Sequence, residues 1–114
     1  MPYINVMVST DVTKEQEIAV KAKLGQAISV FPGKSETYLM VNITPNCNLY
    51  LGGKNDTPIA MGELKLLGNS ERKYYEKFTV EFCNILEEVL GVPQDKTYIT
   101  YQGFEHWGYN GFNF

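Results

Sequence analysis

The sequence predicts an α/β (α+β) fold in which two β-α-β repeats form one four-stranded mixed sheet with both helices on one face. Three observations carry that expectation. Short apolar segments alternate with period two, and two longer segments carry apolar residues at helical spacing. A dipeptide also recurs in register: Thr37-Tyr38 and Thr97-Tyr98 stand 60 residues apart, and the same offset lays Ile4 on Leu64 and Val6 on Leu66.

The first strand is expected over residues 3–9, where Ile4, Val6 and Val8 share one face and Tyr3, Asn5 and Met7 the other. Thr13 and Gln16 then read as a capping box, each side chain meeting a main-chain amide of the other's residue. The helix that follows carries Val20, Leu24, Ala27, Ile28 and Phe31 on one stripe and stops at Pro32-Gly33, because the residue before a proline is pushed out of the helical region. A second strand is expected over 37–43, closed by Thr44-Pro45-Asn46. After the Gly52-Gly53 turn a third runs from Ile59 to Leu67. Gly68-Asn69-Ser70 offers a helix cap. The second helix carries Tyr75, Phe78, Phe82, Ile85, Leu86 and Val89 and ends at Leu90-Gly91 before Pro93, and a fourth strand spans 97–102.

Right-handed crossovers in both β-α-β units put the helices on the same side of the sheet. The other side is expected to present apolar groups from every strand, with only the C-terminal tail left to cover it. That tail is aromatic: of fifteen aromatic residues, seven lie in the last seventeen positions. An apolar face of this size predicts association of subunits.

A chain of 114 residues, 44% apolar and 20% charged, fits one domain over 1–114 with repeats at about 1–57 and 58–114. Ten basic against thirteen acidic residues give a net charge of −3, which supplies no field for a polyphosphate, so no nucleic-acid partner is expected. The longest apolar run is Tyr38 to Val41, too short for a membrane span or a signal-peptide core, and a cytoplasmic protein with no membrane partner is expected. Cys47 and Cys83 match neither a zinc set nor a redox pair, and His106 is the single histidine, so no metal and no cofactor are expected.

One chemical opportunity stands at Pro2. Proline is a small second residue of the kind from which initiator methionine is trimmed, and removal of Met1 would leave Pro2 with a free secondary amine. An exposed α-amine titrates at about 7.7–8, and an apolar pocket beside a cation lowers that value further. Such a group is a base near neutral pH without any histidine or carboxylate.

The ordered set of Met1-Pro2, Gly33-Lys34 with Tyr38 four residues on, Leu51-Gly52-Gly53, Leu67-Gly68, residues 98–101 (Tyr-Ile-Thr-Tyr) and the aromatic, glycine-containing end resembles the macrophage migration inhibitory factor and D-dopachrome tautomerase family over essentially the whole chain. The resemblance implies a tautomerase-superfamily fold assembled as a homotrimer, with active sites at subunit interfaces. It implies a cofactor-free keto–enol tautomerase, an isomerase acting on small aromatic 2-oxo acids such as phenylpyruvate, and on dopachrome-like compounds. Pro2 would be the general base. Lys34 would pair with the substrate carboxylate, the main-chain amide of Leu67 would donate to it, and Tyr98 from a neighbouring subunit would close the pocket. Tyr38, Trp107, Tyr109 and Phe114 would form an aromatic rim. From the residues alone, Lys34 fits a solvated lysine past a helix end better than a ligand, while Tyr98 equally fits a cross-strand packing residue and the rim aromatics trimer packing.

Departures from the family are specific. Thr100 stands where mammalian members carry an asparagine for a phenolic hydroxyl, Trp107 replaces a small aliphatic residue, and Tyr109 replaces a tryptophan. No cysteine lies between Pro58 and Gly62, so thiol oxidoreductase activity does not carry over. The resemblance also implies an alternative function, a leaderless secreted cytokine mimic that binds a host receptor. A third reaction of the proline amine, hydration or dehalogenation of a small acid, is marked by nothing in the sequence.

Overall fold

The computed structural model describes all 114 residues. Its principal sheet comprises β1 (Pro2–Val8), β2 (Met40–Thr44), β3 (Ala60–Leu67) and β4 (Thr97–Phe104), in the spatial order β2-β1-β3-β4. β1 pairs in parallel with β2, and β3 with β4, while the central pair β1 and β3 is antiparallel. The sheet is therefore mixed, as expected. The two parallel registers repeat: Tyr3 lies opposite Met40 and Glu63 opposite Thr100, pairings that differ by the same 60 positions.

Helices α1 (Lys14–Ala27) and α2 (Arg72–Leu90) lie together on one face. The inward residues Ile4, Val6 and Val8 of β1 and Ala60, Leu64 and Leu66 of β3 join Val20, Leu24, Phe78, Phe82 and Leu86 in one buried cluster of 16 residues. No helix is long and apolar enough to cross a membrane. The capping box forms as read: Thr13 Oγ1 accepts from Gln16 N–H at 3.1 Å, and Gln16 Oε1 accepts from Thr13 N–H at 2.9 Å. Gly91 ends α2 in a left-handed conformation (φ 70°), where glycine carries no Cβ penalty.

Three local expectations are corrected. The α-helical part of α1 ends at Ala27, and a 3₁₀ turn over Ile28–Val30 carries the chain to Phe31, which keeps both Ile28 and Phe31 in the core. The second strand starts at Met40 rather than 37, because Leu39 N–H closes a 3₁₀ turn onto Glu36 O at 3.1 Å, so Tyr38 lies outside the sheet. Ser70 does not cap α2. Glu71 holds the N-cap position, and Ser70 N–H donates instead to Tyr75 Oη at 3.2 Å.

The tail is ordered on itself. β5 (Gly108–Tyr109) and β6 (Phe112–Asn113) form a hairpin around Asn110 and Gly111, both at positive φ (52° and 81°), the arrangement that a two-residue hairpin turn requires. Tyr109 stacks on Phe114, centroids 6.1 Å apart.

The open face of the sheet is less apolar than expected. Tyr3, Met7, Met40, Met61, Leu67, Tyr98 and Phe104 do stand there, but a polar row crosses between them. Asn42 Nδ2 donates to Asn5 Oδ1 at 2.8 Å, and Asn5 Nδ2 donates to Glu63 Oε1 at 2.9 Å.

Candidate active site

Pro2 is the first residue of a central strand, the position where a proline costs the ladder no hydrogen bond. It is buried and lies opposite Leu66. Lys34 is delivered by the turn Phe31-Pro32-Gly33-Lys34, in which Lys34 N–H donates to Phe31 O at 3.1 Å. Proline second and a glycine at φ 77° third are what a type II turn demands, so local chemistry fixes the lysine's exit from α1. Its ammonium reaches Leu67 O at 3.5 Å.

Met1 lies between these groups. Leu67 N–H donates to Met1 O at 3.1 Å. Burial, then the charge of the Lys34 ammonium and its hydrogen bond, pull the Met1 α-amine below its ordinary value of 8.0. The end of β1 is thus an environment that penalises a protonated amine, next to a main-chain donor and a cation.

A cleft of ≈ 670 Å³ opens over this end of the sheet. Met1, Pro2 and Tyr3 form its floor, residues 37–40 one wall and residues 107–109 another, with Lys65 reaching in from β3. Tyr38 and Tyr109 meet edge to face, centroids 5.9 Å apart, so the 3₁₀ turn and the hairpin brace each other across the opening. No carboxylate and no imidazole lines the cleft.

Of the residues singled out from the sequence, Pro2, Tyr38, Trp107 and Tyr109 line the cleft together. Lys34 and Leu67 are held behind Met1, and Phe114 backs Tyr109 without lining the opening. Tyr98 and Thr100 are not brought to Pro2 within one chain. Pro2 pairs with Leu66, and Leu66 with Gly103, which leaves Tyr98 five residues further along β4, about 17 Å away at the usual strand rise. Lys65 was not singled out, although one lysine among Leu64, Leu66 and Leu67 is a readable signal. The hairpin also had its signal, Asn110-Gly111 between aromatic residues.

A sequence profile described as macrophage migration inhibitory factor matches residues 1–114. The chain belongs to the macrophage migration inhibitory factor family. A search of curated protein sequences finds no significant match. Among solved structures, the chain is similar to Leishmania major MIF2 (TM-score 0.91, 22% identity, covering 100% of this chain and 97% of that one). It is also similar to the macrophage migration inhibitory factor of Toxoplasma gondii (TM-score 0.89, 22% identity, 98% and 99% covered) and to the like protein of Entamoeba histolytica (0.88, 21%, 99% and 98%). At these identities the likeness establishes the fold, and family membership is consistent with isomerase activity in general.

Proposed function

We propose that the protein is a cofactor-free keto–enol tautomerase of phenylpyruvate-like 2-oxo acids, with the Pro2 amine as general base once Met1 is removed. The observation that carries this reading is a cleft floored by Pro2 and lined by no carboxylate or imidazole. A secondary α-amine there is the group best suited to take a proton near neutral pH, since an ordinary lysine titrates at about 10.4.

The contacts of Met1 support the rest of the reading. Its carbonyl uses the Leu67 N–H and its amine lies beside Lys34. Removal frees a donor and a cation for a carboxylate, and leaves the Pro2 nitrogen in the surroundings that depress the Met1 amine. The substrate carboxylate then sits on Leu67 N–H and Lys34, and its ring lies between Tyr38, Trp107 and Tyr109, backed by Phe114. Pro2 nitrogen takes a proton from the carbon beside the keto group, that C–H pair becomes the new C=C bond while the C=O π pair moves onto oxygen, and the protonated Pro2 amine returns a proton to that oxygen, giving the enol and a neutral amine. Holding Pro2 neutral in the resting state is the work of burial and Lys34 together.

Tyr98 and Thr100 complete the pocket from a neighbouring copy in a homotrimer, which accounts for their distance from Pro2 in the same chain. The test is intact mass to establish a chain starting at Pro2, followed by phenylpyruvate tautomerisation. Pro2→Ala is expected to lose about 10²–10⁴-fold in kcat, the usual worth of a positioned general base. A trimmed wild type no faster than Pro2→Ala ends the proposal.

A further inference from the structure

The cleft holds one group that the tautomerase reading leaves without a task. Lys65 is the only residue of the lining whose side chain is charged at neutral pH. It stands on the open face of β3 with its Cα opposite Tyr3, and its ammonium is 5.9 Å from the centre of the Tyr3 ring. It makes no ion pair: the four ion pairs of the chain all lie on or beside the two helices. The acid two residues before it on the same face, Glu63, is engaged by Asn5 Nδ2 at 2.9 Å. A cation beside an aromatic ring, facing a cleft with no carboxylate, is a place where an anion gains more than it does in open solvent.

The spacing gives the cation a meaning. Leu67 lies two residues beyond Lys65 on the same face, so the main-chain N–H beside Lys34 and the root of the Lys65 side chain are about 7 Å apart along β3. With Met1 removed, as the tautomerase reading has it, the point at Leu67 and Lys34 opens onto the same cleft that Lys65 lines. We infer that Lys65 is a specificity-determining residue that directs the cleft toward 2-oxo acids bearing a second anionic group, the 2-oxo carboxylate lying at Leu67 and Lys34 and the second anion at Lys65. The 2-oxo acid rests on the tautomerase reading, whereas the second anion rests on the position of Lys65.

Binding can be read without turnover through the fluorescence of Trp107, the single tryptophan, which lies in the cleft wall. The probes are phenylacetate and 4-carboxyphenylacetate, added to the chain starting at Pro2. The second carboxylate is expected to tighten binding about tenfold, or about 1.4 kcal/mol, and to lose that advantage as salt rises. In Lys65→Met, which keeps an unbranched apolar stem against Tyr3, the ratio between the probes is expected to fall below about twofold, and Lys65→Arg is expected to restore it. Equal ratios in wild type and Lys65→Met, or no preference in wild type, overturn the inference. Turnover of phenylpyruvate and 4-carboxyphenylpyruvate separates the two readings. Preference between the probes without turnover of either acid ends the tautomerase reading and leaves the anion site standing, and turnover without preference does the reverse.

Discussion

Gly62→Ala tests how the helical layer holds the strand that carries Lys65 and Leu67. Gly62 faces the core from β3, and a Cβ built there would come 2.5 Å from Phe82 Cζ and 2.8 Å from Cε2. Carbon atoms rest comfortably at about 3.5–4.0 Å, so the ring must retreat by roughly 1 Å. It has nowhere easy to go: Phe82 is fully buried and stacks on Phe78 with centroids 6.3 Å apart. Overpacking of this kind costs ~1–3 kcal/mol, and the lower chain entropy of alanine in the unfolded state returns ~0.5–1 of that. A 2.5 Å approach to a ring that is boxed in belongs in the upper half of that cost, which leaves a net loss of ~1–2 kcal/mol. With an unfolding entropy of ~2.1 cal/mol/K per residue, a chain of this length loses about 4 °C per kcal/mol, so Tm should fall by about 4–8 °C at fixed protein concentration. The second half of the assay is the double variant. Phe82→Leu alone leaves a cavity, and the methyl group added by Gly62→Ala fills part of it, so thermal melts of the four proteins should show the two changes offsetting each other by ~1 kcal/mol or more. Costs that add within ~0.3 kcal/mol, or a Gly62→Ala protein as stable as wild type, would refute the packing argument.

Two further outcomes follow from named contacts. Thr79 Oγ1 lies 3.1 Å from Tyr75 O and 2.6 Å from Tyr101 Oη, a hydroxyl pair in which either oxygen can donate. Burial pushes the Tyr101 phenol up to about 12 from an ordinary 10, hence its contribution to stability is complete below pH 10 and is lost as pH rises through about 12. Unfolding followed against pH should show this loss in wild type and a flatter curve over the same window in Tyr101→Phe, and parallel curves would contradict it. Gly111→Ala places a side chain at φ 81°, where L residues are strained, and should open the terminal hairpin. The near-UV circular dichroism of the Tyr109, Phe112 and Phe114 cluster should then diminish, and an unchanged spectrum would show that the turn tolerates the substitution.

The five long elements were legible because their apolar periods match the face they bury: Ile4, Val6 and Val8 alternate, and Phe78, Phe82, Ile85 and Leu86 recur at helical spacing. The start of β2 was not. Residues 37–39 are as apolar as a strand, and what turns them aside is a main-chain hydrogen bond to Glu36, whose carboxylate packs against Gly25 of α1, a tertiary contact with no local signature. Within the candidate site, Pro2 could be nominated by residue type and Lys34 only through the family resemblance, yet their meeting with Leu67 depends on the central antiparallel pairing of β1 with β3. The lysine among Leu64, Leu66 and Leu67 stands out in the sequence, but a lysine at an outward strand position is ordinarily a solvated one, and only the cleft gives Lys65 a different setting. The aromatic content of the tail is compatible both with association and with self-packing, and the Asn110-Gly111 pair at positive φ is what folds the tail on itself.

The place of Pro2 at the head of β1 also bears on accuracy. A slip of β1 by one residue against its neighbours would turn Ile4, Val6 and Val8 outward and drive Tyr3, Asn5 and Met7 into the interior. At ~1.5–3 kcal/mol for each large side chain taken out of the core, that error is penalised by roughly 5–9 kcal/mol. The location of one ring nitrogen is therefore guarded by side chains that never touch it, and the strand acts as a ruler whose zero mark is set by the core.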